Sequence, residues 1–196
     1  MSIKDPKADE FELLKTHFPI GLNVDWQDVS QAPNNAVLND WLLDLTSLTA
    51  RLKANCTHFQ VKLLGQKIEA CQPHEANDSI AVNEQVLVRE VVLYCDHKPQ
   101  VFARSILPLR SLTGNQQSLS CLGEQALGQV LFSDPKLHRE ILQVTQLPAT
   151  GRLTELAAII GLKVEHSLWG RRSLFTIEDK PLMVAEVFLP GAQAYR

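Results

Sequence analysis

The chain has 196 residues, of which 45% are hydrophobic and 21% charged, with a formal net charge of −3. That balance excludes a wholly disordered chain and leaves enough apolar side chains for one sizeable core. No basic run exceeds the pair Arg171 and Arg172, which excludes a nucleic-acid footprint and leaves any anionic ligand to individual arginines.

Residues 1–10 are charged and no apolar segment follows them, so no secretory signal is expected. The longest apolar stretch, 156–162, is too short to cross a bilayer, and a soluble, cytoplasmic protein is expected. Pro6, Pro19 and Pro33 punctuate residues 1–34, which carry only a brief apolar patch at 11–14. We read 1–34 as a loosely packed N-terminal arm and 35–196 as the single domain.

Val37, Leu38, Trp41, Leu42, Leu45, Leu48 and Leu52 recur at three- and four-residue steps, which predicts an amphipathic helix over 35–53. Thr46 or Ser47 can cap a second helix, so a break is allowed there. Phe59, Val61 and Leu63 alternate as a strand that ends near Gly65, and a polar loop covers 73–79. Residues 86–95 form a β-branched strand, 96–99 a turn, and 101–107 the antiparallel return that stops at Pro108. The segment 123–132 reads as a short helix, and 153–160 as another with Gly161 behind it. Residues 137–144 fit helix and strand equally. A second hairpin closes the chain, with strands at 172–177 and 182–189 and a turn at 178–181. The class is α+β, an antiparallel sheet with helices packed on it.

Cys56, Cys71, Cys95 and Cys121 are widely and irregularly spaced, as reduced thiols would be, and no HxxxH, HExxH or CxxC pattern offers a metal site. The charges inside apolar strands are more telling. Arg89 shares a strand face with Leu87, Val91 and Leu93, and Glu186 shares one with Val184 and Phe188. A charge taken out of water needs a partner. Two readings stand: a structural ion pair, with Arg89 joined to Glu90 or Glu186, or the floor of a pocket. In the second, Arg89 binds a ligand carboxylate through its planar fork and Glu186 meets a hydroxyl or a proton. Arg104, beside Phe102 and Ile106, is either a half-exposed edge residue or a further member of the set.

Five segments taken in order resemble the bacterial chorismate pyruvate-lyase family: VREVVLYC at 88–95, FARSILP at 102–108, LGEQALGQVLF at 122–132, LWGRRS at 168–173, and KPL followed by AEVFLP at 180–190. The resemblance spans most of 38–195. It implies a cofactor-free enzyme that splits chorismate into 4-hydroxybenzoate and pyruvate at the first committed step of ubiquinone synthesis. No GxGxxG or GxxxxGK[ST] motif stands against that reading.

Carried onto matching positions, the resemblance implies that Arg89 binds the ring carboxylate and Glu186 the ring hydroxyl. Leu127 offers a backbone contact, and Leu48 stands where the family has a methionine, keeping apolar volume without the thioether. Arg104, or one of Arg171 and Arg172, then holds the enolpyruvyl carboxylate. The helices near Leu48 and Leu127 become lids, and the family inclines to monomers, while charge and hydropathy speak against a nucleic-acid partner or stable membrane insertion. Two departures stand out: a longer N-terminal arm and extra residues between 144 and 168. The competing reading is a non-catalytic ligand-sensing domain of the same fold, which some bacterial transcription regulators carry behind a winged helix that residues 1–34 are too short to form.

Overall fold

Two tight turns organise the sheet. Asp96 and His97 both have positive φ (49° and 63°), as do Glu178 and Asp179 (51° and 64°), the pattern of two-residue hairpin turns whose twist matches that of the strands they join. A computed structural model describes residues 12–196 of the chain. Seven strands are described: β1 Gln27–Asp28, β2 Phe59–Ala70, β3 Gln85–Cys95, β4 Lys98–Pro108, β5 Leu137–Leu147, β6 Leu168–Ile177 and β7 Lys180–Phe188. They form one antiparallel sheet in the order β1-β5-β6-β7-β4-β3-β2. The two hairpins, β3–β4 and β6–β7, thus lie side by side at its centre.

Both faces of the sheet are covered. On one face lie α1 (Ala36–Leu42), α2 (Leu48–Ala54) and α3 (Leu127–Leu131). Leu38, Trp41, Leu42, Leu48 and Leu52 bury against Val61, Val91, Ala103 and Phe188. The helix read over 35–53 is broken where a cap was allowed. Ser47 accepts a hydrogen bond from the Ala50 amide (3.2 Å), as Asn35 does from Leu38 (3.0 Å) at the start of α1. On the opposite face α4 (Arg152–Ile159) packs Leu153 and Leu156 with Val92, Phe102 and Val187. The extra residues between 144 and 168 therefore cover the side away from α1–α3.

The arm is not loose. Leu14, Ile20 and Leu22 are buried in that second layer, and Gln27–Asp28 pairs with β5 as an edge strand. The amides of Ile20 and Gly21 donate to the buried carboxylate of Glu90 at 2.7 and 2.8 Å. Gly65 lies against the Phe18 ring, where a Cβ would sit 2.3 Å from Cγ. Composition marked the prolines but not these anchors. The part of the arm up to residue 11 lies outside the described residues.

Segment 137–144 is a strand, part of β5. Its alternation is broken by a bulge: Gln143 and Ile141 face Arg172 and Leu174, but Arg139 faces Phe175. Glu140 is the unmatched residue, and it shifts Arg139 to the other side of the sheet. A second bulge lies in β4, where Tyr94 pairs with Pro99 and Leu93 with Val101, leaving Gln100 unmatched. Among the described residues no helix is long and apolar enough to cross a membrane.

Candidate active site

The α1–α3 face of the central hairpins carries Arg89, Arg171 and Glu186, three of the residues singled out from sequence. On β7, at the centre of the sheet, Val184 and Glu186 point to this face, and α2 and α3 lie above them. Between these layers is a cavity of about 30 Å³. Leu48 and Thr49 from α2, with Gly128 and Leu131 from α3, form its roof. Val184 and Glu186 form its floor, and Arg139, Arg171, Phe132 and Phe175 close one side.

Glu186 is held rigidly. It pairs across the ladder with Arg171, whose Nε donates to its Oε2 at 2.7 Å. Arg171 is itself 1% exposed, and its Nη1 donates to the carbonyls of Trp41 (3.0 Å) and Asp44 (2.7 Å). The ion pair fixes one carboxylate oxygen, leaves the other for a ligand, and ties the end of α1 to the sheet.

Arg89 is fully buried on β3 with no carboxylate within 4 Å among the described residues. Its Nη2 donates to the carbonyls of Gly123 (2.9 Å) and Gln125 (2.8 Å), in the loop that leads into α3, and its Nε has no partner. Burial pushes its pKa down to about 10, so it keeps its charge at neutral pH. Arg89 does not line the cavity as it stands. It lies against the loop before α3, a helix that begins at the buried Leu127 and whose N-cap Ala126 supplies no side-chain cap. The ion-pair reading of Arg89 with Glu90 or Glu186 does not hold: both glutamates pair with other arginines.

Arg104 is the clear displacement. The Gln100 bulge places it opposite Glu90, on the face away from the cavity. There its guanidinium donates to Glu75 (2.6 Å), Glu90 (2.8 Å) and Glu69 (3.1 Å). Burial works against its charge, but the hydrogen bond and charge of Glu75, with those of Glu90 and Glu69, outweigh it and raise its pKa. With its donors engaged by three carboxylates, Arg104 cannot serve a ligand in the cavity. Arg172 is also on that far face, with Nε donating to Gln143 at 2.7 Å. Of the pair at 171–172, only Arg171 reaches the site.

Sequence reading missed Arg139. It sits in the ambiguous segment, and only the bulge brings it to the cavity side. The guanidinium lies over the rings of Phe175 (4.9 Å) and Phe132 (5.7 Å).

The arrangement is a covered apolar cavity with a fixed carboxylate at its floor and the buried Arg171 and half-buried Arg139 around it, suited to a small, anionic, hydroxylated ring. Comparison with known proteins points the same way. The family model described as chorismate lyase matches residues 21–196. A protein of Psychromonas ingrahamii named probable chorismate pyruvate-lyase is 38% identical over 178 residues, covering 90% of this chain and 96% of its own. One of Shewanella frigidimarina with the same name is 38% identical, covering 91% and 94%. Among solved structures, PhnF of Mycobacterium smegmatis superposes with a TM-score of 0.57 at 18% identity, covering 76% of this chain and 65% of that one. The effector domain of PhnF gives 0.53 at 16% identity, covering 75% and 90%. These two likenesses show a shared fold and nothing more.

Proposed function

This chain belongs to the chorismate lyase family and is a lyase that releases pyruvate from chorismate, and we propose that it does so in the cavity between β7 and helices α2 and α3. The role of that family, supply of 4-hydroxybenzoate for ubiquinone synthesis, is consistent with this. The sensor reading drew on fold alone, and the family match sets it aside.

In the reaction the C3–O ether bond of chorismate breaks, C4 loses its hydrogen, and the ring becomes aromatic. The released enolpyruvate gains a proton to become pyruvate. The bonds balance without an external oxidant or reductant. The residues then have to position the substrate, match its charges and exclude water.

Glu186 carries the proposal. Its Oε2 is committed to Arg171, so Oε1 is the acceptor for the C4 hydroxyl and sits beside the hydrogen that leaves. Arg89 takes the ring carboxylate at its unpartnered Nε, in a buried setting where a charged hydrogen bond is strong. Leu127 adds a backbone amide, and Leu48 covers the ring. A cavity of about 30 Å³ holds water and is far below the ~300 Å³ of ordinary ligand sites. The roof must therefore lift for chorismate to enter, and α2 and α3 act as lids whose reopening limits product release. We further propose a cytoplasmic monomer with no nucleic-acid partner, a reading supported by the acidic net charge and the lack of a basic cluster.

Titration with 4-hydroxybenzoate tests the assignment. Arg89→Gln should weaken binding by about 10- to 100-fold and Glu186→Gln by a smaller factor. Unchanged affinity in both variants would remove the site from this cavity.

A further inference from the structure

Chorismate is a dianion, and Arg89 accounts for one carboxylate only. We propose that Arg139 holds the second, the enolpyruvyl carboxylate, and so makes the site select substrate over product. This rests on the cavity being the chorismate site.

Position supports it first. The strand order β5-β6-β7-β4-β3 puts Arg139 and Arg89 two strands to either side of β7, which carries Glu186. At ~4.8 Å per strand their backbones are ~19 Å apart across the sheet, and by register Arg89 is level with Val184 and Arg139 with Leu182, so Glu186 lies further along β7 than either. Long basic side chains on opposite flanks of β7 suit the two ends of one substrate. The Glu140 bulge is what delivers Arg139: with regular alternation it would share the far face with Ile141 and Gln143.

The second support is unmet bonding. Arg139 lines the cavity yet has no carboxylate within 4 Å among the described residues. Its Nε is buried without a partner, and its one hydrogen bond is a long one, Nη1 to the Asp44 carbonyl at 3.4 Å. Burial, and then the charge of Arg171, lower its pKa, against the opposing pull of Glu186 and Asp44. The phenylalanine rings orient the guanidinium but do not neutralise it. A half-buried cation left this way is unfavourable unless an anion arrives. The other cations offered for this role are committed: Arg171 to Glu186 and two carbonyls, Arg104 and Arg172 to the far face.

The product 4-hydroxybenzoate lacks the second carboxylate, which gives the test its specificity. Wild type, Arg139→Gln, Arg139→Lys and Arg89→Gln are compared in two assays: kcat/KM for chorismate, and Kd for 4-hydroxybenzoate. Thermal unfolding checks that each variant is folded. Arg139→Gln should lose about 10- to 100-fold in kcat/KM while its Kd for 4-hydroxybenzoate stays within about twofold. Arg139→Lys should recover part of the loss. Arg89→Gln should lose both. Equal losses in the two assays for Arg139→Gln, or no loss in kcat/KM, would overturn the role of Arg139. If Arg139→Gln fails to fold, the same comparison in Arg139→Lys decides: a loss confined to chorismate supports the role, and equal losses or none overturn it. Arg89→Gln with unchanged 4-hydroxybenzoate affinity would instead sink the placement of the site itself.

Discussion

Arg171 and Glu186 face each other across the β6–β7 ladder, and the 2.7 Å bond from Nε to Oε2 makes the floor of the cavity and the end of α1 a single unit. Arg171 acts through Glu186, as a positioning residue. A lysine there keeps the charge but loses the planar fork that serves the carboxylate and the Trp41 and Asp44 carbonyls together. Arg171→Lys should lower kcat by about tenfold or more with a smaller change in KM, since a misplaced Glu186 costs orientation before affinity. Arg171→Met, which strands the partners, should lower unfolding free energy in urea by about 3 kcal/mol. A drop below about 1 kcal/mol would mean the ion pair does not anchor α1.

Gly128 sets how closely α3 approaches α2. A Cβ on it would lie 2.8 Å from Thr49 Oγ1. Gly128→Ala should therefore push the two roof helices apart, at a cost of about 1–3 kcal/mol. Thr49→Ala in the same chain should restore most of the loss, because the clash is with its side chain. Melting temperatures of the two single variants and the double variant give the coupling. Simple additivity would show that the helices do not touch through this pair.

The Arg104 cage should matter for stability and not for chemistry. Arg104→Met leaves Glu75 and Glu90 without their cation and Glu69 with Lys67 alone, and should cost about 3–5 kcal/mol, with kcat per folded molecule unchanged within about twofold. The pH dependence should flatten as well. Burial raises the Glu69 pKa, but hydrogen bonds from Lys67 and Arg104 and the charges of both outweigh it, so the carboxyl sits below its usual 4.5. The unfolded chain then takes up the proton first. The contribution of Glu69 to stability is full above about pH 5 and is lost as the pH falls below its usual 4.5. In Arg104→Met the Glu69 carboxyl keeps only Lys67, so less of this acid-side loss remains. The fall in melting temperature from about pH 7 to about pH 4 should be smaller in the variant than in the wild type. An equal or larger fall would contradict the cage.

The strands of the two hairpins were legible because β-branched runs and turn residues coincide, and the break at Ser47 because a cap interrupts the apolar stripe. What escaped was decided by two single-residue bulges. With an unbroken two-residue turn at Asp96 and His97, Arg104 would lie opposite Arg89 and share its face. The unmatched Gln100 turns it toward Glu90 instead. The unmatched Glu140 turns Arg139 inward. A period-two pattern reads faces correctly only between bulges, and nothing in the local composition at Gln100 or Glu140 announces one. Leu48 and Glu186 both line the cavity. Arg89 stands behind the loop before α3, a placement set by the Gly123 and Gln125 carbonyls and invisible to strand periodicity.

The most direct test is turnover. The purified protein is incubated with chorismate alone, and 4-hydroxybenzoate and pyruvate are followed together for wild type, Glu186→Gln and Arg89→Ala. We expect equimolar products from the wild type, with kcat/KM lower by about 100-fold or more in Arg89→Ala and by at least tenfold in Glu186→Gln. Wild-type rates retained in both folded variants would contradict the placement of the chemistry at Glu186 and Arg89.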